Sequence, residues 1–320
     1  MTNPHLKVVT LAGGVGGAKL AHGLAQILAP EELTVIVNTA DDFQHLGLAI
    51  SPDLDTVTYT LAGIANSETG WGIAGDTFEF LGALERLGGE TWFRLGDRDL
   101  ATHVERSRRL WAGESLTQIT RALCGALGVR PTILPMTDEW VRTIVQTDNG
   151  ELEFQDYFVR LRCEPRVTGF RFDGIEDADP SPEAIAALDS AGAIVICPSN
   201  PFVSIDPILS LPGVREALLA RAGPIVAVSP IVGGQAIKGP AAKMLAELRL
   251  DVSARAVAEH YQGLIAGFVL DAVDSALASE LESTGLSVLV TDTLMRSTAD
   301  RARLAREVLD FAQSQLMTED

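Results

Sequence analysis

The sequence predicts an α/β fold in three layers, a mainly parallel sheet between helices, with an inserted α+β lobe. Three observations carry this. Apolar runs at Leu6–Ala12 and Leu33–Val37 flank a helical pattern in which Leu20, Leu24, Ile27 and Leu28 share one face, so the chain opens β-α-β. The alternation returns after Pro180, with strands predicted near Ala193–Cys197, Ile225–Val228, Gly267–Leu270 and Ser287–Val290 and helices between them. From about Trp71 to Asp189 it lapses into helical stretches and then period-two runs. The expected organisation is a discontinuous core, 1–70 and 190–320, around a lobe at 71–189.

The first strand breaks into Gly13, Gly14, Gly16 and Gly17 and then Lys19 at the start of a helix. Such a turn points backbone N–H groups and a helix N-terminus at one spot, and glycine lets a phosphate approach closely. It is not a Walker A loop, because Ala18 precedes Lys19 and Leu20 stands where a metal-binding hydroxyl belongs. It also misses the dinucleotide fingerprint, whose third glycine position is Lys19. A phosphate site and a plain tight turn both fit this stretch taken alone.

After the second strand, Asn38 to Asp55 carries Asp41, Asp42, Asp53 and Asp55, with His45 between. Ser51 and Pro52 read as the cap and first residue of a helix with Asp53 and Asp55 in its first turn. Ligands of open α/β sheets sit outside the carboxyl ends of the strands, so these acids face the glycine loop. Acids facing a phosphate repel it unless a cation bridges them, which favours Mg²⁺. The plainer account is a solvated turn and two acids that suit a helix dipole.

Within the lobe, helices are expected at Thr77–Leu87, Leu100–Trp111 and Leu116–Leu127. Strands follow at Val141–Thr147 and Glu151–Arg160 around an Asp148-Asn149-Gly150 turn, then at Val167–Phe172. Gly96-Asp97-Arg98-Asp99 precedes a helix holding His103, and Arg98 there suits either an ion pair or a bidentate phosphate contact. In the second half, strand ends run into Cys197-Pro198-Ser199-Asn200-Pro201, into Ser229-Pro230-Ile231-Val232-Gly233-Gly234, and towards Lys238 and Lys243. These small, polar turns suit a site along the sheet edge. No nucleophile–base pair stands out, and phosphoryl transfer needs none.

Composition narrows the classes. A net charge of −18 argues against nucleic acid or an anionic membrane as partner. Cys124, Cys163 and Cys197 form neither a zinc pattern nor a disulfide framework, consistent with reduced thiols in a cytoplasmic protein. No apolar run spans a bilayer, and the N-terminus lacks the regions of a signal peptide.

In order along the chain stand Leu11-Ala-Gly-Gly-Val-Gly-Gly-Ala-Lys19, Val37-Asn-Thr-Ala-Asp-Asp42, Ser51-Pro-Asp-Leu-Asp-Thr56, Leu95-Gly-Asp-Arg-Asp-Leu-Ala-Thr-His103, Cys197-Pro-Ser-Asn-Pro201, Ser229-Pro-Ile231 and Asp292-Thr-Leu-Met295. This ordered set resembles the 2-phospho-L-lactate transferases of coenzyme F420 biosynthesis. The resemblance implies a Rossmann-like core, a homodimer and use of Mg²⁺. It implies transfer of a phospho-acyl unit from a guanosine diphosphate-linked acid to the ribityl 5′-hydroxyl of the deazaflavin Fo, with release of GMP. The acid is phospholactyl, phosphoenolpyruvyl or 3-phosphoglyceryl. By the family pattern Gly13, Gly14, Gly16, Gly17, Lys19, Ser199, Asn200, Ser229 and Gly233 hold the donor. Asp42 and Asp53 hold the metal, Asp53, Asp55 and Arg98 lie against Fo, and Asp55 or Asp42 takes the hydroxyl proton. Family members often carry tryptophan where this chain has Gln44, beside Phe43, so which ring stacks on Fo stays open. A related branch, the gluconeogenesis-factor proteins, implies instead a regulator that binds nucleotide sugars. An NAD-dependent dehydrogenase fits less well because the fingerprint is imperfect.

Overall fold

Strand β1 (Val8–Ala12) lies in the interior of a seven-stranded sheet, third from one edge, in a computed structural model that describes residues 6–221 and 223–316. β1 pairs on one side with β2 (Leu33–Val37), and β2 pairs with β3 (Thr132–Pro135). On the other side β1 pairs with β4 (Ala193–Ile196), followed by β5 (Ile225–Val228), β6 (Gly267–Asp271) and β7 (Ser287–Thr291). The order is β3-β2-β1-β4-β5-β6-β7, and every pairing is parallel. The expected α/β, Rossmann-like architecture is therefore present.

The sequence explains the two layers around the sheet. Strands covered on both faces read as unbroken apolar runs, and β1, β4 and β5 are buried at every residue. Alternate side chains then feed two separate cores. Val8, Val35, Val37 and Val195 pack with Leu20 and Leu24 of α1 (Gly14–Ala25), Leu54 and Val57 of α2 (Pro52–Leu61) and the C-terminal helix Thr298–Leu316. Val9, Leu11, Ile36, Ile194 and Ile196 face the other way, against Leu188, Leu218, Met244 and Val257. That second core also takes Val145 and Val167 from the antiparallel sheet built of Arg142–Thr147, Gly150–Glu153 and Val167–Asp173, and Phe154 and Tyr157 from the turn that follows Glu153.

The structure departs from expectation at four places. β3 was not anticipated and falls inside the span 71–189, yet it completes one edge of the main sheet. Only four residues long, it shows too little periodicity to register beside its helical neighbours. The strand expected over Glu151–Arg160 ends at Glu153, and the chain turns into one π-helical turn, Asp156–Arg160. Ser51 stands at the cap position of α2, but its hydroxyl makes no cap bond and donates instead to Asp42 Oδ2 at 2.6 Å. Asp97 to Asp99 form the first turn of α3 (Asp97–Trp111) rather than preceding it. The Asp148-Asn149 turn closes the Arg142–Thr147/Gly150–Glu153 hairpin as the sequence suggests.

Connections leave β1 and β4 towards opposite edges of the sheet, which opens a crevice above their carboxyl ends. Everything that follows lies there.

Candidate active site

Three loops meet over that crevice and are tied together by buried hydrogen bonds. Gly13 ends β1, and Ser199, just past β4, holds it from both sides: Ser199 Oγ accepts from Gly13 N at 3.1 Å and donates to Gly13 O at 2.8 Å. Asn38, just past β2, donates through Nδ2 to Asp53 Oδ2 at 3.0 Å and to Val203 O at 3.2 Å. Asp53 Oδ1 accepts from Gly14 N at 2.8 Å, so the first turn of α2 caps the first turn of α1. These approaches require glycine: a Cβ on Gly13 would strike Asp53 and Ser204, and one on Gly16 would strike the carbonyl oxygen of Pro198.

The result is a cavity of about 940 Å³. Of the residues expected at the site, Gly13, Gly14, Gly16, Lys19, Asp53, Asp55, Ser199, Asn200 and Ser229 line it. The other four do not. Gly17 packs behind, close to Ser199 Oγ and Ala12. Gly233 turns its N–H to Asp274 Oδ2 at 2.9 Å. Asp42 is buried beneath the wall on Ser51. Arg98 is exposed, its backbone N–H bonded to Asp76 Oδ1.

Two ammonium groups face the cavity with no carboxylate partner among the described residues. Lys19 Nζ donates to Met295 O at 3.1 Å and Lys238 Nζ to Thr69 O at 3.2 Å. Burial, and then Arg301 and Lys238, push the Lys19 ammonium below its usual value. In a chain of net charge −18 this is a local positive field, set beside the orphan N–H groups of the first turn of α1.

Carboxylates form a neighbouring wall. Asp41 lines the cavity, Oδ1 of Asp41 and Oδ1 of Asp42 have no hydrogen-bond partner, and both side chains are buried. Burial, reinforced by Asp53 and Asp42, pushes the Asp41 carboxyl well above the usual range. Burial also raises Asp42 well, and Asp53 to about 6 against the opposing bonds from Asn38 and Gly14. Orphaned oxygens in a crowd of acids are what a divalent cation relieves, so the donor set fits Mg²⁺. The pair Asp41-Asp42 was visible in the sequence, but only the fold shows that Asp41 faces the cavity.

Asp55 belongs to a different network. Arg106, from the middle of α3, grips both its oxygens, with Nη1 at 3.1 Å from Oδ2. Arg106 Nη1 also lies 3.2 Å from His103 Nδ1, His103 Nε2 lies 3.2 Å from Asp99 Oδ1, and the Tyr59 hydroxyl donates to Asp99 Oδ1 at 2.8 Å. Burial would raise Asp99, but the bond and charge of His103 and the bond from Tyr59 outweigh it and hold it below the usual range. Asp55, Asp99 and His103 each bring a ligand atom within 4.8 Å of the others, but Arg106 already supplies the cation there.

Aromatic side chains complete the wall. Trp92 and Phe93 line the cavity, with ring centroids 5.7 Å apart, and both pack on His45 and the buried Phe43 of the hairpin Phe43–His45/Leu48–Ile50. Gln44 is exposed on that hairpin. Trp71, Phe154 and Phe158 add further rings. The adjacent Trp92-Phe93 pair just before Gly96-Asp97 is the signal of this wall in the sequence, not among the residues expected at the site.

With this geometry in hand, the chain was compared with known proteins. The model of the 2-phospho-L-lactate transferase CofD family matches residues 8–313. A phosphoenolpyruvate transferase of Streptomyces griseus is 42% identical over 314 residues, covering 96% of this chain and 99% of that protein. A 2-phospho-L-lactate transferase of Methanosarcina mazei is 42% identical over 302 residues, covering 94% and 99%. One from Methanopyrus kandleri is 42% identical over 317 residues, covering 97% and 98%. A crystal structure of a UPF0052 family member from Bacillus halodurans has a TM-score of 0.64 at 16% identity, covering 95% and 98%, which speaks to the fold alone. No helix among the described residues is long and apolar enough to cross a membrane. The glycine loop, the buried acids and the family match over nearly the whole chain agree: the chain belongs to the 2-phospho-L-lactate transferase family, and it is a transferase.

Proposed function

We propose that the cavity transfers a phospho-acyl unit from a guanosine diphosphate-linked acid to the ribityl 5′-hydroxyl of Fo, forming the F420 skeleton and releasing GMP. The observation that carries this is the division of one cavity wall into unpaired ammonium groups beside a glycine loop, orphaned buried carboxylates, and a face of rings. A diphosphate suits the first, a divalent cation the second and a flat heterocycle the third. Relatives carrying the names phosphoenolpyruvate transferase and 2-phospho-L-lactate transferase support a small phosphorylated acid as the transferred group.

In this reading Asp41 and Asp53 would hold Mg²⁺, which would supply positive charge against the diphosphate. Gly14, Gly16 and Lys19 seat the phosphates, and Trp92 and Phe93 stack the deazaflavin. The acceptor hydroxyl attacks the phosphorus that bears the acyl group, and the bond from that phosphorus to the oxygen of GMP breaks. The hydroxyl proton passes to Asp55. Of the two acids the family pattern offers for that role, Asp55 lines the cavity whereas Asp42 lies beneath it. Phosphoryl transfer proceeds through a loose transition state and depends mainly on positioning, which the two-pronged grip of Arg106 on Asp55 supplies.

The test is to incubate the protein with Fo, Mg²⁺ and each of the guanylylated forms of 2-phospholactate, phosphoenolpyruvate and 3-phosphoglycerate, and to weigh the products. A deazaflavin heavier by one phospho-acyl unit, with GMP in equal amount, is the expected result. Folded protein that yields neither from any of the three acids overturns the reading.

A further inference from the structure

The stretch that follows the Gly150–Glu153 strand has an uncommon backbone. One π-helical turn, Asp156–Arg160, is followed almost at once by two non-glycine residues in the left-handed region, Arg162 at φ 50° and Cys163 at φ 58°. Among the described residues only Leu46 and Arg249 share that feature, and neither has such a neighbour beyond glycine. Both π-helical turns and left-handed side-chain-bearing residues are disfavoured, persist only where the surroundings hold them, and concentrate at functional sites.

Here the surroundings do hold them. Cys163 N donates to Tyr157 O at 2.8 Å, Leu161 N to Asp156 O at 2.8 Å and Glu164 N to Leu161 O at 2.9 Å, while Tyr157 is anchored in the core. This turn places Arg162 in the cavity wall, where its side chain is exposed to the solvent that fills the cavity. Its guanidinium has no hydrogen-bond, ion-pair or ring partner among the described residues. The other arginines around the cavity are engaged: Arg94 lies 4.5 Å from the centre of the Phe78 ring, Arg296 pairs with Asp292 at 2.9 Å, and Arg106 grips Asp55. In a chain with 43 acidic residues against 25 basic ones, a guanidinium left without a carboxylate and fixed by this turn at the cavity wall is available to an anionic ligand.

We propose that Arg162 binds the carboxylate of the phospho-acid donor with its guanidinium fork. This rests on the phospho-acyl transfer proposed above, since each of the three acids carries a carboxylate near the phosphate that is transferred. The glycine loop and Lys19 are occupied with phosphate. A carboxylate brought near Asp41, Asp53 and Asp55 without its own cation is repelled. The planar fork of arginine matches a carboxylate with two parallel hydrogen bonds.

Calorimetric binding of the guanylylated 2-phospholactate, of its carboxyl methyl ester and of GMP to wild type, Arg162→Gln and Arg162→Gly tests this. Wild type prefers the free acid over the ester by about 10- to 100-fold, the range for hydrogen bonds to a charged group. Both variants lose that preference and bind GMP as wild type does. Arg162→Gly also keeps or raises the melting temperature, because glycine adopts positive φ freely, so the loss is not one of folding. An unchanged acid preference in the variants, or a GMP affinity that falls as far as that for the acid, overturns the proposal. A wild type that binds the acid with this preference but transfers nothing sinks the proposed reaction and leaves Arg162 supported. A wild type that binds no guanylylated acid sinks both.

Discussion

Arg106 and Asp55 form a buried, two-pronged pair between α3 and α2, with Arg106 3% exposed and Nη1 3.1 Å from Oδ2. Burial alone would lower the arginine's proton affinity, but the Asp55 carboxylate outweighs it and raises it. Removing one member strands a charge away from water. Arg106→Met is expected to cost about 3–5 kcal/mol in urea unfolding, and Asp55→Leu/Arg106→Met together far less than the sum of the two single changes. Arg106→Lys keeps the charge but not the fork, so it falls between. Additive losses would mean the pair is not coupled.

Asp53 makes stability depend on pH. Its folded value, raised to about 6, lies above the usual 3.8, so the folded state binds the proton more tightly than the unfolded chain does. The ionised carboxylate therefore lowers stability at neutral pH, an effect that builds between about pH 4 and 6 and is absent below both values. At about 1.4 kcal/mol per unit it amounts to on the order of 3 kcal/mol at most. Metal-free Asp53→Asn should melt above wild type at pH 7.5 and lose that advantage at pH 4. Mg²⁺ should raise wild type more than the variant. Scanning calorimetry at the two pH values, with and without Mg²⁺, decides it.

Gly16 is expected to tolerate no side chain. The Cβ of Gly16→Ala would meet backbone, the Pro198 carbonyl, rather than a side chain able to swing away. Overpacking of this kind costs about 1–3 kcal/mol, and here it pushes the loop after β1 away from the loop after β4. Melting temperature and GDP affinity should fall together in Gly16→Ala, and an unaltered GDP affinity would contradict this.

Trp92 should matter for the acceptor alone. Stacking of a flat heterocycle on one ring is worth about 1–3 kcal/mol, so Trp92→Ala should raise the KM for Fo by about 10- to 100-fold and leave the donor KM near wild type. Steady-state rates with each substrate varied in turn separate the two. A matched rise in both constants would place Trp92 elsewhere in the reaction.

What the sequence disclosed and what it hid follow a physical line. The glycine loop and Ser199 were legible because each stands at the end of a strand in an alternating pattern, and such ends converge whatever the details of the helices between; Asp53 was legible from the cap-and-proline start of its helix. Asp55 was legible as a site residue, but its partner Arg106 was not, because that pairing joins residues 51 apart in sequence on two helices whose packing no local period reports. β3 and the π-helical turn at Asp156–Arg160 escaped for a related reason. Each is too short to carry periodicity, and each is set by neighbours distant in the chain. Arg98 stood out in its motif, yet the helix that begins at Asp97 turns it to solvent and presents Asp99 and His103 to the cavity instead.

The lone strand β3 has a consequence for how this protein can vary. It splits the long span between β2 and β4 into two excursions, one from β2 to β3 and one from β3 to β4. The first carries Trp92 and the α3 side chains, and the second carries the turn that displays Arg162. Trp92 and Phe93 thus stand on one excursion and Arg162 on the other, each excursion anchored at both ends in the parallel sheet. The two meet where the Arg160 guanidinium lies 5.8 Å from the centre of the Trp92 ring, so a change of length in either excursion is felt at the wall of the other.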